Sequence, residues 1–251
     1  MSAPVVTFHS ATKRFGVGPV VLDRLELAIN AGDFVSLIGP SGCGKSTLLR
    51  VVAGLTPLES GEVRLAPDAG EVSFVFQDAT LLPWLTVGAN VEVPLQLRGW
   101  DATARATVRD RMLARVRLTE KGHAYPRQLS GGQKMRVSLA RALALSPSIL
   151  LLDEPFGALD EMTREHLNEE LLALRQQEAW TALFVTHSVM EAVFLSNRII
   201  VMAANPGRVH AEIPVPLPYP RTPETRLTPE FQTLVAQVSR VLRSVEGAVE
   251  P

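Results

Sequence analysis

The apolar positions of this chain fall into short runs separated by stretches at helical spacing. Val5-Val6-Thr7-Phe8-His9 predicts a strand, and Leu25, Leu27 and Ile29 alternate within a second at 20–29. Residues 62–65 and 72–76 predict two more. Phe34-Val35-Ser36-Leu37-Ile38, Ile149-Leu150-Leu151-Leu152 and Ala182-Leu183-Phe184-Val185-Thr186 differ in kind. Nearly every position in them is apolar, as in central parallel strands covered on both faces. Residues 198–202 give a further strand. Helical spacing follows each buried run: 48–53, closed by Gly54; 161–179, with Leu167, Leu171 and Leu174 on one face; and 188–195. Strands alternating with helices predict an α/β fold built on a mostly parallel sheet.

The character changes between Leu81 and Pro147. No β-branched run occurs there, and Ala104, Val108, Met112 and Val116, then 136–145, recur at helical spacing. This predicts a helical sub-domain at 79–147, set into an α/β core made of 1–78 and 148–215. Pro214, Pro216, Pro218, Pro220 and Pro223 predict a stiff, extended connection within 216–251. Beyond it Phe231, Leu234, Val235, Val238, Val241 and Leu242 fall at helical spacing. Two readings of that last helix stand: docked on the protein's own surface, or reserved for a partner or regulatory contact.

Composition narrows the class. The chain has 251 residues, enough for one sizeable core, and a net charge of -1, which favours neither nucleic acid nor anionic lipid. Its single cysteine, Cys43, excludes an internal disulfide and a cysteine metal cluster. No apolar run approaches the ~18–20 residues of a membrane span, and Met1-Ser2-Ala3-Pro4 lacks the build of a signal peptide. The expectation is a soluble or peripheral, intracellular protein.

The chemistry concentrates in three places. Gly39-Pro40-Ser41-Gly42-Cys43-Gly44-Lys45-Ser46-Thr47 fits the phosphate-binding P-loop, with a strand before it and a helix after it. Its glycines leave backbone N–H groups open to a phosphate, Lys45 can reach the β and γ phosphates, and Ser46 can hold magnesium. Cys43 reads as a small filler in that loop. Asp153 and Glu154 follow a buried strand, at the sheet edge where α/β folds bind ligands. Adjacent strand residues point to opposite sides, so Asp153 serves the metal and Glu154 faces the attacking water as general base. Finally, Ser130 is a natural helix N-cap beside Gly131 and Gly132, which predicts a second anion site on the same chain.

The P-loop, Gln77, Leu129-Ser130-Gly131-Gly132-Gln133, Asp153-Glu154-Pro155, Ala158-Leu159-Asp160 and His187 stand in the order and approximate spacing of ABC transporter ATPase subunits. The chain resembles that family over about residues 5–215. The resemblance implies a RecA-like P-loop core with an antiparallel β sub-domain and an α-helical sub-domain, using ATP and Mg2+. It also implies a head-to-tail homodimer in which Ser130, Gly131, Gly132 and Gln133 of one chain close over ATP on the other. Gln77 would then bind magnesium and water and relay to a membrane partner. Asp160 would cross the dimer interface, and His187 would contact the γ-phosphate. Where many members stack a tyrosine on adenine, this chain offers Phe15, which keeps the π-face.

Without membrane helices of its own, the chain looks like an importer subunit on the cytoplasmic face of the membrane. It would dock on separate permease chains and be served indirectly by a solute-binding protein. Leu81-Leu82-Pro83-Trp84-Leu85, residues 153–160 and Pro206-Gly207-Arg208 are similar to the nitrate/sulfonate/taurine branch. Trp84 reads equally as a permease contact or as core. The competing function is an ATP-driven dimerisation switch on a soluble partner. A small-molecule kinase is disfavoured, having no use for the Ser130 cap.

Overall fold

The computed structural model describes residues 4–178 and 180–246. In chain order the elements are β1 (Pro4–Arg14), β2 (Val20–Asn30), β3 (Phe34–Ile38), α1 (Lys45–Val52), β4 (Ser60–Leu65), β5 (Val72–Val75), α2 (Val87–Leu97) and α3 (Ala102–Arg115). They continue with α4 (Gly131–Leu143), β6 (Ile149–Asp153), α5 (Glu161–Gln177), β7 (Thr181–Val185), α6 (Val189–Leu195), β8 (Arg198–Ala203), β9 (Arg208–Pro214) and α7 (Pro229–Glu246). The chain up to Ala69 and the chain after Glu178 form one compact unit; Gly70–Glu178 form another.

The first unit holds two sheets. β1 pairs antiparallel with β2 and β4, in the order β2-β1-β4. Leu25, Leu27 and Ile29 are buried at every second position of β2, as their alternation predicts. In the other sheet β3 lies parallel between β7 and β8. Every residue of β3 and β7 is buried, the outcome expected of nearly all-apolar strands. Phe34 packs its ring 6.1 Å from Trp180 and 5.9 Å from Phe184. Asp33, just ahead of β3, accepts from the Arg198 guanidinium at 2.7 Å and the Asn197 amide at 2.8 Å, pinning the starts of β3 and β8 together.

β9 was not anticipated. It runs antiparallel along β8 and makes the sheet mixed. Its signal was present in the alternation of Val209, Ala211 and Ile213 with charged or polar neighbours. The proline-rich stretch after it is tied down rather than only extended. Val215 and Leu217 are buried, and the buried Arg221 donates to the carbonyls of Val193, Phe194 and Ser196 at 2.8–2.9 Å and of Leu217 at 2.9 Å. Those first three carbonyls belong to the end of α6, which lacks intrahelical partners for them. α7 packs on α6 and β8, with Phe231 and Val238 fully buried, so the docked reading of the last helix holds.

The second unit pairs β5 with β6 in parallel and surrounds α4 with α2, α3 and α5. Helix starts follow their side-chain caps: Thr86 accepts from the Ala89 N–H, and Asp101 from the Ala104 N–H. The buried Asn90 amide donates to the carbonyls of Leu82, Leu85 and Thr86 and accepts from the Leu82 N–H. That locks the 82–86 loop and turns Trp84 outward, where 70% of it is exposed. Core packing is therefore excluded for Trp84. Boundaries shift modestly. β5 stops at Val75, before Phe76. α4 stops at Leu143, short of the expected Leu145, because Ser146 takes a left-handed φ of 49 ahead of Pro147. α5 stops at Gln177, and its expected end, Ala179, lies outside the described residues.

Candidate nucleotide-binding site

In the first unit, β3 delivers the chain into the glycine-rich turn at 39–44, and Gly44 caps α1 at φ 94, ψ 10. An alanine there would be strained twice over: its φ favours glycine, and an added Cβ would lie 2.6 Å from Leu22 Cδ2. No side chain caps α1 and no acid occupies its first turn, so the N–H groups there and the helix dipole face the loop without an internal anion. The buried Lys45 ammonium donates to the carbonyls of Gly39 at 2.8 Å and Pro40 at 3.0 Å. It is held across the mouth of the loop by neutral acceptors, contacts that an incoming phosphate can replace with a stronger charge-assisted pair. Burial pushes the Cys43 thiol above its ordinary pKa, so it stays protonated, as a filler should.

Two more of the expected residues lie in this unit. Phe15 stands 51% exposed in the β1–β2 connection, with Lys13 Nζ 4.7 Å from its ring centroid. His187 is exposed two residues past the end of β7. The next residue, Ser188, caps α6 by accepting from the Glu191 N–H, while Thr186 bonds the buried Glu191 carboxylate. The imidazole therefore projects from a turn clamped on either side.

The second unit carries Gln77, Ser130, Gly131, Gly132, Gln133, Asp153, Glu154 and Asp160. Gln77 is exposed two residues past β5. Asp153, the last residue of β6, is buried. Glu154 corrects the argument from strand alternation: its φ of 49 is left-handed, so it has already left the strand. The turn that follows, with the Gly157 N–H donating to the Glu154 carbonyl at 3.1 Å, sets its direction instead. A glutamate held in this region stores backbone strain of about 1 kcal/mol, and such strain gathers at functional positions.

Ser130 and Gln133 close a reciprocal cap. Ser130 Oγ accepts from the Gln133 N–H at 3.3 Å, and Gln133 Oε1 accepts from the Ser130 N–H at 3.0 Å. The N–H groups of Gly131 and Gly132 are left at the open end of α4. Asp160 caps α5 in the same manner, accepting from the Thr163 N–H at 3.0 Å. Those hydrogen bonds hold its carboxyl below the usual carboxylate pKa. The two capped ends abut: an added Cβ on Gly132 would come within 2.9 Å of Thr163 Cγ2. A glycine at 132 thus lets two helix starts share one place.

Sequence reasoning missed Arg141. It lies on α4 and donates to the Ala79 carbonyl, the Thr80 carbonyl and Thr80 Oγ1, holding the loop that follows Gln77. Nothing distinguishes it in sequence from an ordinary surface arginine.

Strand, glycine-rich loop and helix in an α/β fold define a P-loop nucleotide-binding protein. Residues 22–157 match the family model described as ABC transporter. An ATP-binding protein of Brucella abortus (strain 2308) is 48% identical over 92% of this chain and 90% of its own length. The aliphatic sulfonates import ATP-binding protein SsuB of Bacillus subtilis (strain 168) is 45% identical, covering 87% and 85%. Among solved structures, the ATP-binding cassette MJ0796, a dimer bound to ADP and Pi, superposes with a TM-score of 0.73 at 33% identity, covering 84% of this chain and 98% of that one. The chain belongs to the ABC transporter family and is an ATP-binding, ATP-hydrolysing subunit of that class. Among the described residues no helix is long and apolar enough to cross a membrane.

Proposed function

We propose that this chain drives import of a small anionic solute of the sulfonate type through separate permease subunits, working as a homodimer on the cytoplasmic face of the membrane. The observation that carries the reading is the pair of anion-receptive helix starts on one chain, the Gly44–Lys45 turn and the Ser130-capped end of α4. One nucleotide needs both, and head-to-tail pairing supplies the second from a neighbouring copy. Relatives named for aliphatic sulfonate import support the choice of solute class.

In the proposed cycle Phe15 stacks on adenine, and residues 39–47 cradle the phosphates with Lys45 against the β and γ oxygens. Ser130, Gly131, Gly132 and Gln133 of the other copy close over the γ-phosphate, with Asp160 lying at the dimer seam. Glu154 takes a proton from the attacking water, and His187 bonds the γ-phosphate and is released when that phosphate leaves. Magnesium fits the donor chemistry: Ser46 hydroxyl, Gln77 amide and Asp153 carboxylate are hard oxygen donors of the kind that complete a phosphate-bound ion. When bound, the ion neutralises developing phosphate charge. Exposed Trp84, beside the Gln77 loop, is suited to a permease groove, so closure passes through 77–85.

Purification from native membranes in detergent, followed by reconstitution with the co-purifying chains, tests this. A permease should accompany the chain, and ATP hydrolysis should rise when a solute-binding protein loaded with an alkanesulfonate is added. A soluble partner alone, with no membrane chain, would overturn the import reading.

A further inference from the structure

The turn between β8 and β9, whose Pro206-Gly207-Arg208 resembles the importer branch, has no part in nucleotide binding assigned so far, yet its backbone rests on the P-loop. Gly207 donates its N–H to the Val21 carbonyl at 3.0 Å and accepts from the Asp23 N–H at 3.1 Å, a parallel bridge to β2 centred on Leu22. Arg208, next along, pairs its Nε with Asp23 Oδ2 at 3.0 Å. An added Cβ on Gly207 would fall 2.2 Å from the Cys43 carbonyl oxygen and 2.4 Å from that of Val21. Both obstacles are backbone, so no rotamer change relieves them. Its φ lies outside the left-handed region, so the position needs glycine for space and not for conformation.

The contact has a direction. In a trans peptide the carbonyl and the following N–H point opposite ways. With the Cys43 carbonyl seated against Gly207, the N–H of Gly44 is turned to the other side of the loop, the side a phosphate approaches. Leu22 fills the space beneath Gly44, and so the 43–44 peptide is gripped between β2 and the β8–β9 turn.

We infer that Gly207 is a positioning residue for nucleotide binding: it seats the Cys43 carbonyl and thereby aims the Gly44 N–H at the bound phosphates. The inference rests on the reading of 39–47 as the phosphate loop. Gly207→Ala should tilt that peptide and weaken the affinity of the full chain for ADP and for inorganic tripolyphosphate alike, by about tenfold or more. Arg208→Ala, which loosens the same turn without crowding Cys43, should change either affinity less than threefold.

Calorimetric titration of both ligands, with Lys45→Ala alongside, separates the outcomes. Gly207→Ala binding within twofold of the unaltered chain, while Lys45→Ala loses binding, overturns the role of Gly207 alone. Wild-type affinity in Lys45→Ala overturns the phosphate-loop reading itself. Should Gly207→Ala not fold, hydrogen exchange on the unaltered chain decides. Saturating ADP should slow the amides of 204–209 together with those of 39–47, and slowing confined to 39–47 refutes the inference.

Discussion

Arg141 holds Thr80 by both its carbonyl and its hydroxyl, each at 2.9 Å. The helix that Ser130 caps is thereby tied to the loop that follows Gln77. Burial draws the Arg141 guanidinium below its ordinary pKa, and the oxygens of Ala79 and Thr80 offset that cost. A lysine cannot reproduce the planar fork. In Arg141→Lys, ATP affinity of the isolated chain should stay within twofold, while turnover stimulated by the reconstituted permease falls roughly tenfold, about 1.4 kcal/mol in the barrier. Unaltered stimulation would show that the tie carries no coupling.

Glu154 permits chemistry and strain to be separated. Glu154→Gln keeps shape and loses the base, so ATP-stabilised dimers with almost no turnover are expected, a loss of about 10²–10⁴-fold. Because φ is 49, Glu154→Gly should unfold at higher denaturant than Glu154→Ala, by about 1 kcal/mol. Both variants should be equally inactive. Brisk hydrolysis in Glu154→Gln would remove the residue from the proton-transfer role.

Arg221 caps the end of α6 from 25 to 28 residues away along the chain. Arg221→Met keeps much of the side-chain volume and deprives the carbonyls of Val193, Phe194, Ser196 and Leu217 of their donor. Leaving buried acceptors unmatched costs about 1–3 kcal/mol for each group, softened by any water that enters. Urea denaturation should register a loss of about 3 kcal/mol; a loss under 1 kcal/mol would mean that α7 anchors this segment without Arg221.

Asp33 links stability to pH. Burial alone would raise its pKa, but hydrogen bonds from Asn197, Arg198 and the Asn30 N–H outweigh burial and lower it. A carboxylate with a depressed folded pKa contributes stability that is complete above its unfolded value near 4 and vanishes as pH falls through the folded value. The unfolding free energy should therefore drop as pH is lowered below about 4, and Asp33→Asn should drop less steeply over that interval. At pH 7 the variant should be less stable than the unaltered chain, by about 1–2 kcal/mol after allowing for partial solvent access. Parallel pH profiles for the two would dissociate Asp33 from the acid sensitivity.

The sequence determined the parts whose signal is local. The largely apolar runs of β3, β6 and β7, the glycine spacing of 39–47 and the Ser130 cap each follow from contacts within a few residues, so composition and period specify them. Only the tertiary structure decided what rests on distant backbone. Strand alternation could not reveal that Glu154 leaves β6 in a left-handed turn, nor that Trp84 faces outward because Asn90 locks its loop. Arg141, Arg221 and Gly207 act on carbonyls of Thr80, Val193 and Cys43 respectively. A carbonyl oxygen is common to every residue type, so nothing in the amino-acid letters marks which ones will be met.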